Sequence, residues 1–156
     1  MDFLLKELKL ARGVLFKEDE ILLVQDMRPG QGHFFLPGGS VEPGESIPTA
    51  LAREWDEELG WKIKVGGFFG CLENTWIHER TFDDQKVKII EVNYLFEVKA
   101  LPENIAADPR SKESHLKFSW IPVRRLNDVP LLPRPLSTLI PEIRDSGARG
   151  TWASTL

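Results

Sequence analysis

The sequence predicts an α+β fold, a sandwich of mixed β-sheets served by few helices. Short apolar runs bounded by Gly, Pro and Asp recur along most of the chain. A single internal stretch, Ser46 to Gly60, carries a sustained helical period. The resulting order, β-β-β-α-β-β-β with a terminal helix, fits such a sandwich. With 156 residues and 42% apolar content, the chain has material for one sizeable core and little room for a second. One domain is expected over residues 1–145, with the polar, glycine-containing segment 146–156 as a flexible tail.

Composition narrows the function classes. The net charge of −4 argues against a broad nucleic-acid surface, which needs clustered Lys and Arg, and no added DNA-binding domain is expected. A small phosphorylated substrate held through a metal stays open. Cys71 is the sole cysteine, which removes a disulfide framework and a thiolate metal site. The N-terminal MDFLLKELKLAR interleaves charges with leucines, and no run of 18 apolar residues occurs anywhere. The expectation is a soluble cytoplasmic protein with no membrane partner.

Along the chain, residues 10–16 (LARGVLF) and 21–25 (ILLVQ) read as a β-hairpin around a charged turn. A loop follows over 26–32, then a short strand His33-Phe34-Phe35-Leu36. Arg28 and His33 are candidate phosphate or base contacts, against the plainer reading of a solvated arginine and a surface histidine. One of Phe34 and Phe35 faces a core and the other is free to stack on a base; Phe35 is taken as the candidate. Residues 61–72 form a strand bent at Gly66-Gly67, and 73–86 a polar connection with Trp76, His78 and Arg80. Trp76 serves either as a lid on a substrate or as a cap on the core. In the strand 87–98, Ile90, Val92, Tyr94, Phe96 and Val98 make a core-like face. The opposite face, Ile89, Glu91, Asn93, Leu95 and Glu97, is the mixture a cleft needs, though a solvent-facing edge reads alike. A long loop over 99–115, the strand LKFSWIPV, a turn at Arg124-Arg125-Leu126 and a helix over 136–143 interrupted at Pro141 complete the series.

The helix organises the rest. Ser46 suits its N-cap, Pro48 its first turn and Gly60 its end. Leu51, Ala52, Trp55 and Leu59 fall on one arc and face a core. Glu54, Glu57 and Glu58 share another arc of about 100°. Left alone, the pair Glu54 and Glu58 costs about 0.2–0.5 kcal/mol, and a divalent cation would turn that repulsion into binding. A solvated acidic face is the competing reading, and the segment ahead of the helix decides against it. Leu36 to Glu45 (LPGGSVEPGE) is a turn-rich loop whose paired glycines let backbone groups approach a metal or phosphate.

Loop and helix together, Gly39 to Trp61, resemble the Nudix box G-x5-E-x7-R-E-U-x-E-E-x-G-U. Gly39, Glu45, Arg53, Glu54, Glu57, Glu58 and Gly60 match its fixed positions. The departures are at the U positions, where tryptophans (Trp55, Trp61) replace the usual aliphatics; both are apolar, and the core must hold two indoles. The resemblance implies a Nudix-type α/β/α sandwich with a mixed sheet and a catalytic loop-helix. It implies metal-dependent hydrolysis of a diphosphate linkage in a nucleoside diphosphate derivative: a nucleoside triphosphate, ADP-ribose or another nucleotide sugar, or a dinucleoside polyphosphate. Glu54, Glu57 and Glu58 would hold the metal with the Gly38 carbonyl, and Arg53 and Glu45 would form a supporting ion pair. A cluster of carboxylates without His or Cys favours Mg2+ or Mn2+ over zinc. For the general base, Glu58 is the first choice, with Glu113 and Glu91 as candidates outside the box. Family members also include ligand sensors and isoprenoid diphosphate isomerases; the isomerases use a cysteine, and Cys71 alone supports that poorly. Homodimers are common in the family, which leaves a homodimer open here.

Overall fold

The computed structural model describes residues 3–82 and 85–156, with the backbone alone at 78–82 and 85. The N-terminal strand β1 (Phe3–Val14) pairs in parallel with β7 (Gln85–Lys99), which pairs antiparallel with β6 (Lys64–Phe82). The short strands β5 (Gly38–Ser40) and β9 (Thr151–Ser154) flank them, giving the order β5-β1-β7-β6-β9. A second sheet is built around β3 (Glu20–Asp26), which pairs with β2 (Phe16–Lys17), β4 (Phe34–Phe35) and β8 (Leu116–Pro122). Helix α1 (Ile47–Leu59) packs on β5 and β1, and α3 (Leu136–Ser146) packs on the 3-10 turn Val123–Asp128. A five-residue helix, α2 (Pro102–Ala106), breaks the long loop after β7.

β3 shows why this is a layered sandwich. Its consecutive residues alternate between two cores: Ile21 and Leu23 join the cluster with α3, Leu22 and Val24 the cluster with α1. A strand buried on both faces reads as a continuous apolar run, which is how ILLV reads.

Several expectations change. The expected hairpin of 10–16 with 21–25 is reduced to the two-residue β2 against β3, because β1 turns away into the other sheet. Within the expected polar connection at 73–86, residues 73–82 instead continue β6, with Glu73 to Thr75 half-buried and Trp76 and Ile77 exposed, and 85–86 begin β7. His78 and Arg80 have side chains outside the described residues. The bend at Gly66-Gly67 is a register shift between Val65 and Phe68, as expected. On β7 both faces are partly core: Ile89, Asn93 and Leu95 of the mixed face are buried, and on the expected core face Val98 is buried while Ile90, Val92, Tyr94 and Phe96 are half-buried. Leu95 joins the core with α3, and Glu91 and Asn93 of the same face line a cleft, as a mixed face allows. The segment expected as a flexible tail contains β9, which lies parallel to β6 from Gly70 to Glu73. Thr151 Oγ1 donates to the Phe69 carbonyl at 3.0 Å and helps fix that strand.

Candidate active site

α1 is positioned by local chemistry before any catalytic residue matters. The Ser46 hydroxyl accepts the Thr49 N–H at 3.2 Å, and Gly60 ends the helix at φ 70°, its N–H donating to the Asp56 carbonyl. Trp55 is fully buried, and its indole N–H donates to the Pro37 carbonyl at 3.3 Å. The same carbonyl accepts the Gly13 N–H at 2.8 Å. Gly13 makes room for the indole, since a Cβ there would lie 2.8 Å from Trp55 Cζ2. Trp61 packs beside Trp55 at 6.1 Å between ring centroids. The larger residue at the first U position is therefore accommodated by a glycine in the facing strand.

The loop is equally constrained. Gly38 has φ 149°, and a side chain there would collide with the Ala11 carbonyl. At Gly39 a Cβ would run into the Glu54 carboxyl. The glycine pair is what lets β5 lie between β1 and Glu54.

Arg53 holds loop and helix together. Its Nε and Nη2 donate to the two oxygens of Glu45 at 2.8 and 2.9 Å, and Nη2 also donates to the Ser40 carbonyl at 3.0 Å. Nη1 donates to Glu54 at 3.0 Å and to Glu57 at 3.3 Å. The fork on Glu45 holds that carboxyl down at about 2. Glu54 and Glu57 are turned toward Arg53, and among the described residues no three His, Cys, Asp or Glu side chains converge as a metal site. The arginine is the counter-ion that like charges need when they share a helix face. Glu58 differs from both. It is buried, and burial, reinforced by Glu54 and Glu113, pushes its carboxyl up to about 8. Burial also raises Glu54. The donor set is all carboxylate oxygen, and the absent side chain at Gly39 leaves the loop backbone against Glu54, so the residues suit a hard divalent cation.

Beside this cluster lies a cleft of about 500 Å³. Four candidate substrate contacts line it, namely His33, Phe35, Trp76 and Glu91. The Trp76 indole N–H donates to Glu91 at 2.7 Å. Arg28 is not part of the cleft: Asp26, nearly buried, takes its guanidinium in two bonds of 3.0 and 2.5 Å, which lowers the Asp26 pKa. That ion pair accounts for Arg28 locally. Glu113 lies close enough to Glu58 to raise its pKa, on a loop tied to α1 by the Lys112 N–H donating to the Glu58 carbonyl at 2.7 Å.

Sequence reasoning missed Arg12, whose guanidinium reaches the cleft from β1. Its Nε donates to Asn93 Oδ1 at 3.3 Å and its Nη1 to the Leu36 carbonyl at 3.1 Å. The signal was present as a lone charge inside the apolar run LARGVLF. The C-terminal segment was missed too. Thr155 Oγ1 accepts the Thr75 N–H at 3.2 Å and donates to Asn74 at 2.8 Å, closing one wall of the cleft.

This loop-helix on a two-layer core is the arrangement of one family. A family model described as NUDIX domain matches residues 7–142, and the chain belongs to the Nudix family. It is 46% identical to diphosphoinositol polyphosphate phosphohydrolase 2 of Rattus norvegicus over 67 residues, 42% of this chain and 36% of that protein. The chain thus matches only about a third of that relative's length. It is 29% identical to putative 8-oxo-dGTP diphosphatase 2 of Mycobacterium tuberculosis over 124 residues, 78% of this chain and 77% of that protein. Among solved structures, a NUDIX hydrolase from Nitrosomonas europaea superposes with a TM-score of 0.63 at 20% identity, covering 93% of each chain. At that identity the likeness shows the fold. No helix among the described residues is long and apolar enough to cross a membrane.

Proposed function

We propose that the chain is a metal-dependent pyrophosphohydrolase that cleaves a diphosphate linkage in a nucleoside diphosphate derivative. The observation that carries this reading is the folded box itself, with a buried Glu58 whose carboxyl feels the charge of Arg12, a residue that lines the adjoining cleft. The names of the relatives, a diphosphatase and a phosphohydrolase, point the same way. Mg2+ or Mn2+ bound by Glu54, Glu57, Glu58 and the Gly38 carbonyl would neutralise the diphosphate and activate a water. Arg53, fixed on Glu45, keeps the loop in register with the helix while the glutamates serve the cation. Glu58, which burial keeps protonated without a cation, would ionise when the cation binds and would then accept the proton of the attacking water. Glu113 tunes Glu58 through its charge. Phe35, His33 and Trp76 receive the rest of the substrate, with Glu91 orienting the indole.

The amide, hydroxyl and aromatic lining of the cleft favours a nucleoside over a polyphosphorylated ring, which would require many more cations. The deciding experiment is phosphate release from a panel of nucleoside triphosphates, nucleotide sugars, dinucleoside polyphosphates and a diphosphoinositol polyphosphate, in Mg2+, Mn2+ and EDTA. Cleavage of one nucleotide that stops in EDTA is the expected result. Metal-independent cleavage, or binding of the panel without turnover, would replace the hydrolase by a ligand sensor.

A further inference from the structure

Arg12 is anomalous by the usual accounting of charge that is partly withdrawn from water. It rises from the interior of β1, between the fully buried Ala11 and the glycine that faces Trp55. Burial pulls its guanidinium below its ordinary pKa, against the attraction of Glu91, Glu58 and Glu54. Among the described residues none of these carboxylates forms a salt bridge with it, and its two hydrogen bonds engage Nε and Nη1 alone. An arginine offers five N–H donors, so Nη2 retains its donors at the cleft. Charges drawn out of water are ordinarily paired, and this half-buried one lines an open cavity instead. Arginine keeps its charge under such burial.

Asn93 supports the same conclusion from the neighbouring strand. It is 1% exposed and lines the cleft floor. Its Oδ1 accepts from Arg12, which fixes the amide, and its Nδ2 donates to the Leu72 carbonyl at only 3.4 Å. The second N–H of that amide takes part in no other hydrogen bond among the described residues.

We propose that Arg12 Nη2 and the Asn93 amide form an anion site that takes a phosphoryl group of the substrate, beside Glu54 and Glu58. The identity of the anion rests on the hydrolase reading, but the site itself rests on the unpaired guanidinium. Arg12 is then a substrate contact, and it sets the direction of binding: the phosphate end is drawn inward to β1, and the remainder lies outward along Phe35 and Trp76.

The test is calorimetric binding of inorganic pyrophosphate, in Mg2+ and separately in EDTA, to the wild type and to Arg12→Met, Arg12→Lys and Arg134→Gln. Arg134 is the other arginine lining the cleft. In whichever buffer the wild type binds, Arg12→Met should weaken affinity by about tenfold or more, as expected for losing a charge-assisted bond. Arg12→Lys should lose less, and Arg134→Gln should change affinity by less than about threefold. Circular dichroism and urea midpoints separate this from a purely structural role, which would lower stability and leave pyrophosphate affinity intact. If Arg12→Met fails to fold, Arg12→Lys carries the test. Wild-type binding absent in both buffers, affinity unchanged in the Arg12 variants, or loss in Arg134→Gln alone overturns the proposal. If pyrophosphate binding depends on Arg12 while no nucleotide is cleaved, the anion site stands and the hydrolase reading falls. If nucleotides are cleaved while pyrophosphate binding is independent of Arg12, the hydrolase reading stands and the anion site falls.

Discussion

The box and the cleft are adjacent, yet they are built in opposite ways. The box is local: Gly39 to Gly60 supplies the loop, the helix, the carboxylates and their arginine, and the clamp from Arg53 to Glu45 spans eight residues. The cleft gathers Arg12, Phe35, Trp76, Asn93, Arg134 and Thr155 from segments scattered over the whole chain. Chemistry fixed by short spacing is the same wherever the loop-helix folds. Recognition built from distant strands changes whenever register or a terminus changes. This is a physical reason for one family to keep a reaction while its members differ in substrate.

The largest effect that would test this contrast lies in the box. Glu57→Gln and Glu58→Gln should each lower turnover by about two to four orders of magnitude, the range of an acid–base or ligand carboxylate, with the fold intact. Melting curves and single-substrate kinetics check both. An active Glu58→Gln enzyme would remove that residue from the chemistry.

This asymmetry also explains what was legible in the sequence. Ser46, Pro48 and Gly60 mark the helix boundaries, and the structure has Ile47–Leu59 between those caps. Arg53 on Glu45 needs only residue spacing. Glu58 belongs by spacing to a polar arc, but it is buried, because the arc of α1 that includes Trp55 extends under it. Burial on β7 departs from polarity for a related cause. Period two says which residues share a face and leaves open which face a helix covers. Asn93, on the polar-looking side, is among the least exposed polar residues. β9 is invisible in the sequence because Thr-Trp-Ala-Ser is too short to signal a strand, and only pairing with β6 makes it one.

A smaller and more selective effect is expected in the cleft. Phe35→Ala and Trp76→Ala should each weaken substrate binding by about 1–3 kcal/mol, the scale of a base stacked on an aromatic ring, and should reorder the substrate panel. Metal binding should remain as in the wild type. KM values against two or more substrates decide it; equal losses in kcat for every substrate would mean that these rings serve the box.

The smallest expected effect is on stability against pH, and it separates the carboxylates within the box. Glu45, held at about 2, contributes stability that is present above its ordinary value of 4.5 and is lost as pH falls toward 2. Glu58, raised to about 8 from 4.5, acts in the other direction. Between those values the folded chain holds a proton that the unfolded chain releases, so the metal-free protein loses stability as pH rises from 4.5 to 8. Thermal midpoints in EDTA should therefore decline across that window, and Glu58→Gln should flatten the decline. Added Mg2+ should restore more of the midpoint at pH 8 than at pH 6, because a cation prefers the ionised carboxylate. A midpoint that is level from pH 5 to 8 in EDTA would mean that Glu58 ionises without penalty, and that burial does not set its chemistry.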